Sequence, residues 1–330
     1  MASPGYTPLR RELLDRRQRL ESIASNVASA RDVVRLLKEV DSALERMNDG
    51  TYGLCESCHD TIEKDRLAAD PLVRFCLDHL SEAERDALQK DLDLASQVQA
   101  ALLPRNNLRI GNWEVGYHYR AAGAVSGDYC DVADASGGTD GFFFLLGDVS
   151  GKGVASSLLM SHLHAIFRTL LALNLPLGQM MARANRVFCE STLPTSFATL
   201  VCGRATSSGE VEIANAGHCP PLVLHSAPGT KLQATGLPLG MFCDAAYSVE
   251  RIHLEPRQSL FLYTDGLTEA QNASGEEYGT ARLGRFLRGC RDLRPGAMAE
   301  SCLESLAAFL GGAPQSDDVT VMVVQRSAEA

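Results

Sequence analysis

Two pairs of potential metal ligands near the N-terminus constrain the fold of this chain more than any other feature. Cys55 and Cys58 form the first pair, and Cys76 and His79 form the second, with seventeen residues between the pairs. A gap of two residues lets one turn present both side chains of a pair to the same ion, and zinc takes four such ligands tetrahedrally. The spacing therefore predicts a small zinc module with these four ligands.

The alternatives to a zinc site are a redox-active Cys-x-x-Cys motif and two unrelated pairs. A redox motif needs no distant second pair, so the second pair favours zinc. His59 is a competing candidate for the fourth ligand, but it follows Cys58 immediately and has the worse geometry. We therefore expect His79 to be the fourth ligand.

The segment from Asp49 to His79 resembles the zinc finger of the DksA/TraR family of RNA polymerase regulators. The resemblance begins with the stretch Asp-Gly-Thr-Tyr-Gly-Leu-Cys and departs from the four-cysteine form of that family at His79. The polymerase function does not carry over, because in that family it depends on acidic residues at the tip of a helical hairpin. This sequence predicts a single long helix before the finger.

The residues before the finger carry an apolar seam whose positions follow alternating steps of three and four, with Arg16 and Asp41 as exceptions. We predict one long helix over residues 1–48 that forms a coiled coil with a second copy of the chain. The alternative is an amphipathic helix that packs on its own chain. The seam consists of Leu13, Leu20, Ile23, Val27, Ala30, Val34, Leu37 and Leu44.

The remaining residues divide into a second helix and a domain of mixed structure. The finger is predicted over 49–80, after which Ser81 and Glu84 form a capping-box signature. The helix that begins there continues to Pro104, so we predict a linker helix over 81–104. Over 105–327, short β-branched and aromatic runs mix with helical stretches without strict strand–helix–strand alternation, which predicts an α+β sandwich of sheets flanked by helices.

Charge and composition exclude several partners and locations. The net charge of −10 provides no basic footprint for nucleic acid or an anionic membrane. No apolar run approaches the roughly 18–20 residues of a membrane span, and the N-terminus resembles no export signal. We therefore expect a cytoplasmic protein whose other cysteines are mostly small core residues without disulfides. These cysteines are Cys130, Cys189, Cys202, Cys219, Cys243, Cys290 and Cys302.

Four acidic motifs lie in the second part of the chain, each beside a glycine or at the end of an apolar run. A single Asp-Gly pair is most often only a turn, and aspartate is disfavoured inside strands. Several carboxylates at strand ends, in contrast, can hold hard divalent cations through oxygen. We therefore predict a metal site built from Asp128, Asp148, Asp265 and the adjacent pair Asp317 and Asp318.

The order of these motifs resembles the catalytic domain of the metal-dependent (type 2C-like, PPM) protein phosphatases, specifically the SpoIIE/RsbU branch. The resemblance runs from about Leu94 to Val324 and includes Asn215-Ala216-Gly217-His218 and the stretch 262–270. It implies the PPM sandwich fold and a serine/threonine phosphatase that uses two manganese or magnesium ions. It also implies hydrolysis by a water held between the ions, without a covalent phosphoenzyme.

By this resemblance, Asp148 bridges the two ions and the backbone carbonyl of Val149 assists. Asp128 lies close by as a ligand or as support for one. Either member of the adjacent pair could be a ligand, and the resemblance favours Asp317, with Asp318 orienting it. The expected metal-binding set is Asp128, Asp148, Val149, Asp265, Asp317 and Asp318.

The resemblance also suggests a substrate and a mode of control. The expected substrate is a phosphorylated anti-anti-sigma factor in a partner-switching pathway, and the finger and linker helix are expected to control the metal site through a homodimer. The alternative is a non-enzymatic transcription or signalling regulator that acts through the finger. His218 is expected to fix a turn, and the alternative is a general acid.

Overall fold

The computed structural model describes residues 6–24, 31–79, 82–135, 141–224, 230–290 and 292–328. The chain divides into two compact units, Met1–Asp91 and Leu92–Ala330. The division falls inside the helix Glu82–Leu102, the segment predicted as a linker. The domain boundaries given by the sequence stay predictions.

Two helices, α1 (Thr7–Ala24) and α2 (Arg31–Asp49), precede the finger. Leu13 and Val40 are fully buried in one hydrophobic cluster, and Arg17 Nε lies 2.8 Å from Asp41 Oδ1. The prediction of one continuous helix over 1–48 is therefore wrong, because α1 and α2 pack against each other and bury the seam residues Leu13 and Leu44 within a single chain, whereas Val34 is exposed. The seam positions Val27 and Ala30 and the capping residue Ser81 lie outside the described residues, and pairing with a second copy stays a prediction.

Because two helices precede the finger, a different observation must argue against the polymerase function of the DksA/TraR family. The expected reason was the absence of a hairpin, but α1 and α2 pack against each other. The segment 25–30 between them has the sequence Ser-Asn-Val-Ala-Ser-Ala, which contains no carboxylate. The acidic residues on which that function depends are therefore missing from the connection.

The second unit contains two antiparallel sheets, as the sequence predicts for a sandwich. In spatial order, the first sheet has β3 (Asp128–Asp134), β4 (Phe142–Val149), β5 (Ala198–Ala205), β6 (Glu210–Ala216) and β9 (Glu250–His253). The second has β1 (Leu108–Ile110), β2 (Trp113–Arg120), β11 (Val319–Arg326), β10 (Ser259–Tyr263), β7 (Leu222–Leu224) and β8 (Thr230–Lys231).

The side chains of β4 alternate between two hydrophobic cores, one on each face of the first sheet. Phe142, Phe144 and Leu146 belong to the core between the sheets, whereas Phe143 and Leu145 belong to the core beneath the outer helices. Successive side chains of a strand point to opposite faces, so a continuous apolar run marks a strand that is buried on both sides. This strand ends at Asp148 and Val149.

Helices cover the outer face of each sheet. Helices α5 (Val154–Leu171) and α6 (Leu177–Ser191) pack on the first sheet, and α8 (Gly279–Gly289) and α9 (Pro295–Leu310) pack on the second. Among the described helices, α5 is the one long and apolar enough to cross a membrane. Its residues Met160, Leu163 and Phe167 are buried in the outer core, which fits a core helix.

Two of the cysteines expected to be isolated are bonded to each other. Cys189 on α6 and Cys243 form a disulfide with a Cα–Cα distance of 5.4 Å. The expectation of isolated cysteines is therefore wrong for this pair, since the 54 residues of separation hide the contact. The bond also removes the support that the cysteines gave to a cytoplasmic location.

Candidate metal centres

The four predicted zinc ligands come together in the first unit. One ligand atom each from Cys55, Cys58, Cys76 and His79 lies within 4.8 Å of all the others. Turns present them, since the N–H of His79 donates to the carbonyl of Cys76 at 3.0 Å. His59, the competing candidate, is exposed and outside this group. Three thiolates and one imidazole suit tetrahedral zinc, so the donor set fits this ion.

The surroundings of the finger hold its two ligand pairs together and favour a thiolate at Cys55. Glu56, inside the first pair, accepts a hydrogen bond from Arg46 at 2.6 Å and forms an ion pair with Arg74 beside the second pair. Burial opposes ionisation of Cys55, but hydrogen bonds from the backbone N–H groups of Cys58, Cys76 and Ser57 outweigh it and lower the pKa of the Cys55 thiol to about 6.

The predicted carboxylates lie at one edge of the sandwich in the second unit. Asp128 begins β3 and Asp148 lies near the end of β4, and the two are direct partners in the antiparallel register. Asp265 follows β10 as the first residue of the short helix α7 (Asp265–Thr268). Asp317 lies two residues before β11, which pairs with β10 so that this end of β11 lies beside the end of β10. The register of both sheets thus brings distant parts of the sequence to the same edge.

Asp128 is buried between the two sheets. Its Oδ2 accepts hydrogen bonds from Thr320 Oγ1 at 2.5 Å and Thr264 Oγ1 at 3.1 Å, and only 1% of the residue is exposed. A buried carboxylate is costly unless hydrogen bonds satisfy it. Asp128 therefore connects the first sheet to β10 and β11 at the site of the other carboxylates.

Asp317 and Asp318 have different environments although they are adjacent. Asp318 accepts hydrogen bonds from the backbone N–H groups of Ala122 and Gly127, both at 2.8 Å, and these occupy both of its carboxylate oxygens. Asp317 Oδ2 faces Lys152 Nζ at 3.0 Å. Gly266 permits the close approach of this loop, because a Cβ there would collide with the carbonyl of Asp318. These contacts are compatible with Asp317 as the ligand and Asp318 as its support, an assignment that stays a prediction.

Burial and unbalanced negative charge raise the pKa values of these carboxylates. Burial is the largest cause for Asp148, followed by the negative charges of Asp265, Asp317 and Asp318, and together they raise its pKa to about 7. Burial and Asp317 also raise the pKa of Asp265. Burial and Asp148 raise the pKa of Asp128 well above its ordinary value. Divalent cations would neutralise this charge, so the donor set fits hard metal ions.

The two candidate centres differ in how tightly their ligand atoms cluster. In the described part of the chain, the finger is the one group of three or more ligands whose atoms all lie within 4.8 Å of one another. The carboxylates are spread more widely. Two ions roughly 3.5–4 Å apart need a wider set of ligands than one ion does, so this spread suits a binuclear site better than a mononuclear one.

Several residues of this region were missed by the sequence reasoning. Thr264 and Thr320 lie inside the acidic motifs but read as strand residues, and Lys152 lies on the loop after β4. Asp131 lies in the middle of β3 and is fully buried, with Arg168 Nη2 2.5 Å from its Oδ1. Polar residues beside each acidic motif were the available signal, but only the fold shows which of them are in contact.

His218 fixes a turn, as expected. Its N–H donates to Asn215 Oδ1 at 2.8 Å, and Asn215 Nδ2 donates to the His218 carbonyl at 3.1 Å. Its Nδ1 lies 2.8 Å from Thr199 Oγ1, and burial lowers its pKa to about 4. A neutral imidazole at ordinary pH is a poor proton donor, so the general-acid alternative has no support here.

Comparison with known proteins gives the family of the chain. Residues 138–327 match the model of the family Stage II sporulation protein E (SpoIIE). The chain belongs to this family. Residues 50–78 also match the prokaryotic DksA/TraR C4-type zinc finger, a match that ends one residue before His79.

Two curated relatives cover much of the chain. Protein IcfG of Synechocystis sp. is 24% identical over 279 residues, which is 75% of this chain and 43% of that protein. Phosphoserine phosphatase RsbU of Bacillus subtilis is 26% identical over 191 residues, which is 57% of this chain and 56% of that protein. The chain thus spans about half the length of the curated relatives it matches.

Solved structures share the fold. The PP2C domain of SiaA from Pseudomonas aeruginosa aligns with a TM-score of 0.65 and 21% identity over 74% of this chain and 99% of that one. The RsbU and RsbW domains of a Mycobacterium tuberculosis protein align with a TM-score of 0.56 and 25% identity, over 67% of this chain and 62% of that one. The second unit therefore has the predicted PP2C-like, or PPM, fold.

Proposed function

We propose that this chain is a metal-dependent protein phosphatase that hydrolyses phosphoserine or phosphothreonine. The observation that supports this most directly is the convergence of Asp148, Asp265 and Asp317 at one edge of the sandwich. Membership of the SpoIIE family and the relatives named phosphoserine phosphatase, RsbU and RsbP, point the same way. The family shares this fold, so the assignment depends on the site as well as on the likeness.

The proposed ligands of two manganese or magnesium ions are Asp148, Asp265 and Asp317, with the carbonyl of Val149 and support from Asp128. When bound, two such ions lower the pKa of a shared water and neutralise charge on the phosphoryl oxygens. The protein's own part is to fix the ligands. Asp318 holds the loop of Ala122 and Gly127 through two backbone N–H groups, and Asp128 accepts hydrogen bonds from threonines of the opposite sheet.

A phosphatase assay with and without manganese tests the proposal. We expect metal-dependent hydrolysis of p-nitrophenyl phosphate and of a phosphoserine peptide, lost in Asp148→Asn and Asp265→Asn. Asp292→Asn is the matched control, since Asp292 is an exposed aspartate between α8 and α9. No activity in the wild-type protein, with Asp148→Asn behaving identically, would instead support the non-enzymatic regulator.

For the substrate we propose a phosphorylated anti-anti-sigma factor, which rests on the resemblance to the SpoIIE/RsbU branch. A folded phosphoprotein can contact much more of the surface around the metal site than a short peptide can. We therefore expect kcat/KM on such a protein to exceed kcat/KM on a peptide carrying the same phosphoserine. Equal values for the two substrates would contradict this choice.

For control we propose that the finger and α4 (Glu82–Leu102) act on the metal site through a homodimer. Gln99 on α4 donates to the carbonyl of Ser126 at 2.7 Å and accepts from its N–H at 2.9 Å. Ser126 lies two residues before Asp128, so a shift of α4 would reach the site. If Cys58→Ser changed zinc content but neither oligomeric state nor turnover, this control would be refuted.

A further inference from the structure

Lys152 lies at the rim of the carboxylate cluster. Its Nζ is 3.0 Å from Asp317 Oδ2 and donates a hydrogen bond to the carbonyl of Ser316 at 2.8 Å. The side chain is 65% exposed, so the ammonium group contacts the cluster from the solvent side. Among the described residues, it is the cation that forms an ion pair with this cluster.

The loop that carries Lys152 has a defined shape. Gly151 and Gly153, on either side of it, have φ values of 99° and 75°, a conformation that residues with a side chain rarely adopt. The loop follows β4, which contains Asp148, and leads directly into α5. The backbone therefore fixes the base of Lys152 beside the site, while its four-carbon side chain stays free to turn.

A phosphatase needs positive charge where its substrate binds. A phosphomonoester is a dianion, and a cluster of carboxylates repels it until cations are present. Phosphoryl transfer depends largely on charges positioned around the phosphoryl oxygens. Asp317 cannot give its Oδ2 to a divalent cation and to Lys152 equally, because the two cations repel each other and the divalent charge is the stronger competitor.

We propose that Lys152 binds a non-bridging phosphoryl oxygen of the substrate once Asp317 ligates a divalent cation. The inference rests on the proposed phosphatase function and adds a substrate-binding residue to it. With Asp317 bound to a cation, the ammonium group of Lys152 would be released from Asp317 Oδ2 and would donate a charge-assisted hydrogen bond to the phosphoryl group. Lys152 transfers no proton and forms no covalent bond, so it acts by binding.

The competing explanation is a structural one, in which Lys152 only pins the loop after β4 to the loop before β11. These two roles differ in what a substitution changes. If Lys152 has only the structural role, its substitution would alter manganese affinity or thermal stability, since Lys152 holds Asp317. A phosphoryl-binding residue would alter the affinity for phosphate in the manganese-loaded protein.

The experiment compares the full-length wild type with Lys152→Ala, Lys152→Arg and Lys231→Ala. Lys231 is the matched control, because it is the only other lysine from residue 92 onward and lies exposed on β8. Calorimetric titration measures manganese binding first and then inorganic phosphate binding to the manganese-loaded protein. Kinetics on p-nitrophenyl phosphate and on its diester, bis(p-nitrophenyl) phosphate, give kcat and KM separately.

We expect Lys152→Ala to weaken phosphate binding by about tenfold or more, as hydrogen bonds to charged groups commonly do. KM for the monoester should rise with it, and the diester, which carries one negative charge fewer, should be affected less. Lys152→Arg should recover most of the loss, whereas manganese affinity should not fall in either variant. Lys231→Ala should match the wild type throughout.

Two results would overturn the proposal. Unchanged phosphate affinity in Lys152→Ala would exclude a contact between Lys152 and the phosphoryl group. A loss of manganese affinity or a lower melting temperature that accounts for all the kinetic change would show that Lys152 has only the structural role. A wild type that hydrolyses neither ester, with or without manganese, would instead refute the phosphatase function, which separates the two failures.

Discussion

The finger and the carboxylate site are both assembled from candidate ligands that the sequence predicts, but these residues lie at very different separations along the chain. The four finger ligands lie between Cys55 and His79 and are brought together by local turns. The carboxylates extend from Asp128 to Asp317 and meet only because strands of two sheets end at the same edge. A local site can be predicted from spacing alone, whereas a dispersed one depends on the register of the fold.

The largest expected effect is on the dispersed site. Asp148→Asn removes the proposed bridging carboxylate, and we expect kcat/KM to fall on the order of 10³-fold, because several kcal/mol of charge stabilisation depend on the metal pair. Zinc content, measured by mass spectrometry, should stay the same as in the wild type. Loss of zinc together with activity would show that the two sites are not independent.

The next effect is on the local site. Cys76→Ser removes a buried ligand, and zinc binding supplies much of the folding free energy of small finger modules. We expect loss of zinc and loss of protection from hydrogen exchange in residues 50–79, while the strands around Asp128 stay protected. A finger that remains protected without zinc would contradict the expectation that zinc stabilises this module.

A smaller effect is expected where the two sheets meet. Thr320→Val removes the hydroxyl that donates to the buried Asp128 at 2.5 Å, and we expect unfolding free energy to fall by about 1–3 kcal/mol. Thr320→Ser keeps the hydroxyl and is the control, measured by the same denaturant titration. Equal losses in both variants would point to packing of the threonine methyl group rather than to the hydrogen bond.

The smallest effect concerns pH and His218. Burial lowers the pKa of this histidine to about 4 in the folded state, below the ordinary value of about 6.5. The unfolded chain therefore binds more protons in this window, and stability falls as pH drops from about 6.5 toward 4. We expect His218→Asn to show a smaller difference in melting temperature between pH 7 and pH 5 than the wild type, and an unchanged difference would refute this source of acid sensitivity.

The two sites also differ in which neighbouring residues the sequence failed to predict. Aspartates such as Asp128 and Asp131 are disfavoured in strands, yet both lie in β3, where six of the seven residues are buried. Hydroxyls from the other sheet and the guanidinium of Arg168 satisfy these two carboxylates. A propensity measured for exposed or unpaired residues fails where a distant partner satisfies the charge.

The prediction for the N-terminal helices was wrong for a different reason. A heptad-like seam requires only that its apolar face be covered, and it does not specify whether a second chain or the same chain covers it. The chain itself covers the part of the seam at Leu13 and Leu44, which are buried in one cluster, while Val34 is exposed. The disulfide between Cys189 and Cys243 was missed in the same way, because the sequence separation carries no information about that contact.

By itself the sequence predicted the four candidate zinc ligands, which the structure brings together, the sandwich class, and the five aspartates proposed for the second site. The physical reason is that ligand spacing, strand texture and Asp-Gly turns are local properties of a few residues. Only the tertiary structure decided that Asp317 faces the site while Asp318 holds a backbone loop, and that Lys152, Thr264 and Thr320 join them. Those contacts depend on strand register and on the packing of two sheets, which no short stretch of residues encodes.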